Sequence, residues 1–166
     1  MSSFRSTAGQ RPARNGREAR IDPLCHTLAG AALSRAGLGG RTALGATALM
    51  AGANLPDIDA LAYLAGPGAD LEWRRGWTHG ILALLVLPFV LTGSLLLVHR
   101  LSWVRRRTQP APLVPKQLLL LSSIAILSHP MLDTLNTYGV RWLMPFSGRW
   151  FYGDTLFILD PWVWIA

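Results

Sequence analysis

The sequence predicts an all-α protein, a membrane-associated helical bundle with a metal site at one end. Three observations support this prediction. Hydrophobic residues make up 51% of the 166 residues and charged residues only 15%, against about 25% charged in ordinary soluble domains. The stretch 81–98 is apolar and carries no charge, as a membrane-spanning helix requires. Histidines and aspartates recur where the predicted helices begin or end, which is where polar side chains from different helices can meet.

The chain is predicted to consist of a flexible basic arm and one helical domain. Residues 1–21 carry five arginines without an apolar stretch between them, which excludes a secretory signal peptide, and residues 22–166 form the domain. The net charge of +7 and the seven tryptophans favour membrane lipid over nucleic acid as the partner. A single cysteine, Cys25, excludes a disulfide framework and a thiolate site, so any metal must be held by histidines and carboxylates.

Four helices are predicted from the apolar stretches and from the glycines and prolines that delimit them, at 25–36, 41–54, 81–98 and 116–129. The first two are too short to cross a hydrocarbon core of about 30 Å, so 81–98 is the one spanning candidate. A polar loop at 66–77 precedes it and a basic, proline-rich loop follows it. The last helix is expected to stop before Pro130, with Asp133 on a short helical turn after it.

Short connections predict helices that run up, down, up and down, so that alternate helix ends meet at one end of the bundle. Six residues are expected there as metal ligands: His26, Asp57, Asp59, His79, His129 and Asp133. The last two are four residues apart, which places them on one helical face. Three imidazoles and three carboxylates suit one or two divalent ions, zinc or manganese. Such ions activate water and hold a phosphoester oxygen, which is the chemistry of a hydrolase.

Other polar residues are predicted to assist this site. Asp59 and Asp154 are candidates for a general base, and Asn136 and Asp160 for groups that orient a ligand or a water molecule. Four arginines are expected to neutralise phosphate: Arg74, Arg75, Arg141 and Arg149. Structural interpretations of these residues stay open. Asp154 and Asp160 can instead pair with Arg141 or Arg149. Thr78 can be the N-terminal cap of a helix, with His79 beside it in no functional role.

Five motifs together resemble the YdjM-like inner-membrane metal-dependent hydrolases. They are DPLCHT at 22–27, NLPDID at 54–59, RGWTHG at 75–80, SHPMLDTLNTYG at 128–139 and the segment 154–160. That family is itself similar to zinc-dependent phospholipase C and P1 nuclease, all-helical enzymes with His and Asp ligands. The resemblance implies a location in the bacterial inner membrane and a fold of that kind. It also implies metal-ligand roles for the six residues named above.

The predicted function is hydrolysis of a phosphoester, with a phospholipid head group as the natural substrate and a metal-activated water as the nucleophile. Because no histidine follows His129, a third metal ion is not expected. Members of the family continue into further membrane segments where this sequence stops at 161–166, so the chain can be a fragment of a longer protein. Two competing interpretations stay open: a non-catalytic membrane protein with a structural or transport-related metal site, and a structural bundle that binds no metal.

Overall fold

The computed structural model of the protein describes residues 22–59, 76–108, 110–135 and 139–153. These ranges contain five α-helices: α1 (Asp22–Leu33), α2 (Gly45–Gly52), α3 (Ile81–His99), α4 (Ser102–Thr108) and α5 (Pro115–Leu135). Apart from an isolated antiparallel pairing of Val140 with Phe151, the described ranges contain no β-structure. The prediction of an all-α protein is thereby confirmed. The predicted arm and most of the predicted loop at 66–77 lie outside the described residues.

The first two helices differ in extent from the predicted ones. After α1 the chain forms a π-helical turn, inside which Gly37 adopts a φ of +96°. This left-handed conformation suits glycine and ends a helix, so α1 stops three residues before the predicted residue 36. Leu44 also has a positive φ, of 63°, and α2 begins only after it rather than at residue 41. The two helices pack closely, since a Cβ added at Gly30 would lie 2.6 Å from the Leu49 carbonyl oxygen.

The last helix, α5, forms the centre of the bundle. It packs against both α2 and α3. The side chains that fill this junction are almost completely inaccessible to solvent: Ala48, Leu49, Leu118, Leu121, Ala125 and Ile126. The helices that carry the predicted ligands therefore share one apolar core.

The predicted end of this helix before Pro130 is wrong, because α5 continues to Leu135. Proline removes a helical hydrogen bond and its ring crowds the carbonyl of the preceding turn, but membrane helices tolerate it where neighbouring elements satisfy the freed backbone groups. Here Pro130 is itself buried. Among the described residues, α3 and α5 are both long and apolar enough to cross a membrane. The expectation that only 81–98 could span is therefore also wrong.

Part of the predicted basic loop is the short helix α4. Its arginines are exposed, while Val104 is buried against the rest of the molecule. The Thr108 hydroxyl near its end lies 3.2 Å from Nε2 of His99, the last residue of α3. These contacts place α4 and its three consecutive arginines at the end of the bundle to which α3 runs.

Residues 139–153 close the opposite end of the bundle. The backbone N–H of Ile81, at the start of α3, donates to the Trp142 carbonyl oxygen at 3.0 Å. The Trp142 indole N–H donates to the Thr134 hydroxyl on α5 at 2.7 Å. The segment thus ties the first residue of α3 to the last turn of α5, and the predicted ligands lie beside these two helix ends.

Candidate metal centre

At this end the structure brings together five of the six predicted ligands: His26, Asp57, His79, His129 and Asp133. Four separate stretches of chain supply them. The first comes from α1, the second from a 3-10 turn at 55–59 that follows α2, and the third from the turn at 76–79 that precedes α3. The last two lie four residues apart on α5. These elements belong to or adjoin α1, α2, α3 and α5, which pack against one another, and this explains how residues so distant in sequence come together.

His129 has one ring nitrogen engaged and the other directed into the cluster. Its Nδ1 lies 2.6 Å from the carbonyl oxygen of Ala53, a group that can only accept a hydrogen bond. Nδ1 therefore donates. The Nε2 atom lies 3.5 Å from Oδ2 of Asp133, one turn further along α5. A ring held by a backbone carbonyl in this way has a fixed orientation and presents Nε2 to a ligand.

His79 faces His129 across the cluster. Its backbone N–H donates to the Gly76 carbonyl oxygen, which closes the turn before α3 and carries the ring into the interior. The Nε2 atoms of the two histidines are 3.0 Å apart, and Nε2 of His79 is 3.4 Å from Oδ2 of Asp133. Both rings are completely buried. Two ring nitrogens and a carboxylate oxygen thus converge on one small region.

His26 extends the cluster on the other side of Asp133. Its Nε2 lies 3.3 Å from Oδ1 of that carboxylate, and its ring stacks on His129 with centroids 3.8 Å apart. No described residue forms a hydrogen bond with its buried Nδ1. One oxygen of Asp133 therefore faces His26, and the other faces His79 and His129. A carboxylate placed in this way can link His26 to the pair formed by His79 and His129.

Asp57 completes the group and is its most accessible member. Its side chain is 16% exposed, and its Oδ1 lies 3.6 Å from Nε2 of His129. Burial raises the pKa of the Asp57 carboxyl, but the hydrogen bond and charge interactions with His129 outweigh it, so that the pKa lies below its usual range. The ionised form is the one that binds a cation. Within the described part of the chain, no group forms a hydrogen bond with its buried Oδ2.

The distances of three of these atoms from Nε2 of His129 are close to those expected around a bound metal ion. Four donor atoms about 2.1 Å from a tetrahedral ion lie about 3.4 Å from one another. Around Nε2 of His129 the three corresponding distances are 3.0, 3.5 and 3.6 Å. Nitrogen lone pairs and carboxylate oxygens at such distances repel one another unless a proton or a cation lies between them. Two overlapping groups can hold an ion, each with its ligand atoms within 4.8 Å: His26, His129 and Asp133, and Asp57, His79 and His129.

The sixth predicted ligand, Asp59, lies outside both of these groups. Its Oδ2 is 3.4 Å from Nδ1 of His79, on the side of the ring that faces away from His129. It also accepts a hydrogen bond from the Thr78 hydroxyl at 2.8 Å. Thr78 does not cap α3, because the N-terminal cap is Gly80. Sequence patterns did not indicate the contact of Thr78 with Asp59, since the partners are 19 residues apart.

The predicted phosphate-binding and orienting residues are only partly described. Arg141 lies beside the turn that carries His79, since a Cβ added at Gly76 would be 2.7 Å from its Nη2. Its guanidinium also lies 5.0 Å from the ring centre of Trp150. Arg149 is exposed on the segment 139–153. The other predicted residues lie outside the described ranges: Arg74, Arg75, Asn136, Asp154 and Asp160.

Comparisons with known proteins agree with a membrane location. A family model described as "YdjM inner membrane protein" matches residues 21–166. The chain is also 28% identical over 119 residues to the uncharacterized protein YfhP of Bacillus subtilis (strain 168). That similarity covers 72% of this chain and 33% of the relative, so the chain spans about a third of the relative's length. No solved structure matches the chain.

Proposed function

This chain belongs to the YdjM inner membrane protein family, and from its buried histidines and aspartates we propose that it is a membrane-associated, metal-dependent hydrolase of a phosphoester. One observation carries the proposal. Nε2 of His129 has His79 Nε2, Asp133 Oδ2 and Asp57 Oδ1 within 3.6 Å, in a chain with few acidic residues. Such a concentration of buried ligand atoms costs stability unless a cation is bound, and it is therefore expected to serve a function.

Four residues are proposed to hold the first ion: Asp57, His79, His129 and Asp133. Two imidazoles and two carboxylates suit zinc, with manganese as the second choice. Nε2 of His26 lies 3.3 Å from Oδ1, the other carboxylate oxygen of Asp133, and His26 is proposed to be a ligand of a second ion. The chemistry that a divalent cation supplies in such a site is a water of lowered pKa and a polarised phosphoryl oxygen.

The surrounding residues are proposed to orient and neutralise the substrate. Asp57 is more exposed than the three ligands around it, which favours entry of the substrate from its side. Arg141 lies beside the His79 turn, and its guanidinium offers the planar donors that bind phosphate oxygens. Roles in phosphate binding for Arg149, in general base catalysis for Asp59 or Asp154, and in orientation for the remaining predicted residues stay proposals.

The position of the site along α3 favours a lipid substrate. The helix has 19 residues, a length of about 28 Å that nearly matches a hydrocarbon core. His79 precedes its first residue by two positions, so it lies at the level of the head groups. The nearby segment 139–153 exposes aromatic side chains, with Phe146 at 78% accessibility and Trp150 and Tyr152 also exposed. Aromatic residues of this kind collect at membrane interfaces, where a phospholipid head group is the abundant phosphoester.

A second candidate function is favoured by the burial of the histidines. His79 and His129 are completely inaccessible to solvent, and a structural metal centre likewise leaves no coordination position for water. A structural or transport-related ion is therefore the alternative to catalysis. A fold of the phospholipase C and P1 nuclease type likewise remains a proposal for the chain.

Hydrolysis by the full chain in detergent micelles tests the proposal. We would load the purified protein with zinc or manganese and supply a chromogenic phosphodiester and mixed-micelle phospholipids. We expect hydrolysis by the parent, hydrolysis by His99→Ala, whose histidine lies at the far end of α3, and only background hydrolysis by His79→Ala. Stoichiometric metal without hydrolysis of any of these phosphoesters would favour the structural candidate. Neither metal nor hydrolysis would contradict both.

A further inference from the structure

A hydroxyl and a carboxylate lie on the side of His79 that faces away from the cluster. The Thr78 hydroxyl oxygen is 2.8 Å from Oδ2 of Asp59 and 2.9 Å from Nδ1 of His79. A hydroxyl has one proton to donate, and an ionised carboxylate can only accept. The Thr78 proton therefore points to Asp59, and the lone pairs of its oxygen face Nδ1.

This geometry favours a proton on Nδ1 of His79. Two acceptors lie around Nδ1, the Thr78 oxygen and, at 3.4 Å, Oδ2 of Asp59. A proton on Nδ1 satisfies both, whereas a lone pair there would face two further lone pairs. Nε2 of His79 lies 3.0 Å from Nε2 of His129 and 3.4 Å from Oδ2 of Asp133, so that a proton or a cation must lie among these atoms. With a proton held on Nδ1, Nε2 is the nitrogen that a metal ion can bind.

The proton on Nδ1 of His129 is held in a different way. The backbone carbonyl of Ala53 accepts from its Nδ1, so that its Nε2 also faces the cluster. The Ala53 carbonyl belongs to the C-terminal cap of α2, and its position is fixed by the fold. The groups that contact Nδ1 of His79 are side chains, so that each can be changed by a single substitution. The Asp59 side chain is only 4% exposed. Burial strengthens a charge-assisted contact, because water does not compete for it.

We propose that Asp59 and Thr78 are positioning residues: together they hold the proton of His79 on Nδ1, fix the ring, and present Nε2 as a metal ligand. Asp59 thus acts through His79 and is not itself a ligand. This inference rests on the metal site of the proposed function, although it does not depend on hydrolysis. Partners of this kind change metal affinity by about 10- to 100-fold when they are removed.

Two readouts on the full chain in detergent test the inference. The first is the position of the proton on His79 in the metal-free protein, read from ring ¹⁵N chemical shifts and assigned by loss of the signal in His79→Gln. The second is zinc affinity, measured by competition with a chelator. Thr78→Val removes the hydroxyl at constant size, Thr78→Ser keeps it, and Asp59→Asn keeps an acceptor oxygen without the charge.

We expect the proton on Nδ1 in the parent and in Thr78→Ser, and a mixture of the two ring forms in Thr78→Val. Zinc affinity should fall about 10- to 100-fold in Thr78→Val, less in Asp59→Asn, and return with Thr78→Ser. The matched control is Thr92→Val, which removes a buried hydroxyl from the α3–α5 contact. It should leave both readouts unchanged.

An unprotonated Nδ1 of His79 in the metal-free parent, or zinc affinity in Thr78→Val within twofold of the parent, would overturn the inference. Equal losses in Thr92→Val and Thr78→Val would also overturn it, because they would reveal a general loss of structure. If the parent binds no zinc at all, the proposed function fails instead. The ¹⁵N measurement still decides in that case whether Thr78 and Asp59 set the proton of His79.

Discussion

The two membrane-length helices, α3 and α5, differ in what surrounds them. Within an apolar stretch of 18 residues in each helix, 22% of the stretch in α3 is buried inside the protein, against 44% in α5. The exposed side of α3 consists of large apolar residues, among them Leu85, Phe89 and Val90. In contrast, α5 buries polar and ionisable side chains, Ser122, His129 and Asp133, together with the central apolar core.

This difference separates an exposed apolar helix from a helix that carries buried polar side chains. The side chains of α3 are exposed on most sides of the helix and need only be apolar, whereas those of α5 must fit α2 and α3 and also carry part of the candidate site. Polar groups inside a membrane segment are costly, and they are expected where they have partners and a function. The comparison predicts that matched substitutions will have small effects on the outer face of α3 and large effects on the inner face of α5.

The largest difference in stability is expected between Leu121→Ala and Leu85→Ala. Leu121 on α5 is fully buried, and its truncation leaves a cavity that should cost about 2–5 kcal/mol. Leu85 on α3 is 62% exposed, and its truncation leaves no cavity, so that unfolding in mixed detergent micelles should be almost unchanged. Equal losses of unfolding free energy in the two variants would show that α3 is packed as tightly as α5.

A pair of glycines tests the same contrast by adding volume. A Cβ at Gly52 would lie 2.8 Å from Cβ of Ala125 on α5 and 3.2 Å from Leu91. Gly52→Ala should therefore push α2 away and destabilise the protein by about 1–3 kcal/mol. A Cβ at Gly93 on α3 meets nothing within 4 Å, and Gly93→Ala should be neutral or stabilising by up to about 1 kcal/mol. A stable Gly52→Ala variant would contradict the close α2–α5 contact.

The smallest effect concerns two hydroxyls on α3. The Thr92 hydroxyl donates to Ser122 Oγ on α5 at 3.2 Å, whereas the Ser94 hydroxyl bonds within its own helix, to the Val90 carbonyl oxygen. Thr92→Val should cost about 0.6 kcal/mol of unfolding free energy, the usual value for a polar contact between membrane helices. Ser94→Ala should cost less. A larger loss of unfolding free energy in Ser94→Ala than in Thr92→Val would contradict the contact of Thr92 with α5.

The sequence identified elements that depend on composition better than those that depend on tertiary contacts. The apolar stretch 81–98 corresponds closely to α3, Ile81–His99, because nothing outside the helix is needed to specify it. The helix that contains Pro130 was predicted too short, because a local rule for proline does not account for the packing around α5.

For the candidate site, residue types and connectivity were enough to bring most of the predicted ligands together. Alternation of helix direction places His26, Asp57, His79 and His129 at one end of the bundle. This result does not depend on the exact residues at which the helices begin and end. The partners of the two Nδ1 atoms could not be predicted. Nδ1 of His129 contacts the backbone oxygen of Ala53, and Nδ1 of His79 contacts the Thr78–Asp59 pair. Both depend on the relative positions of helices, which side-chain spacing does not encode.

The proposal that α5 carries a metal site is tested by the metal content of the purified full chain after reconstitution with zinc or manganese. Elemental analysis of the parent would be compared with His129→Ala and Asp133→Ala on α5 and with His99→Ala at the end of α3. We expect at least one equivalent of metal in the parent and in His99→Ala, and its loss in both α5 variants. A reconstituted parent without stoichiometric metal, or unchanged metal in both α5 variants, would contradict it.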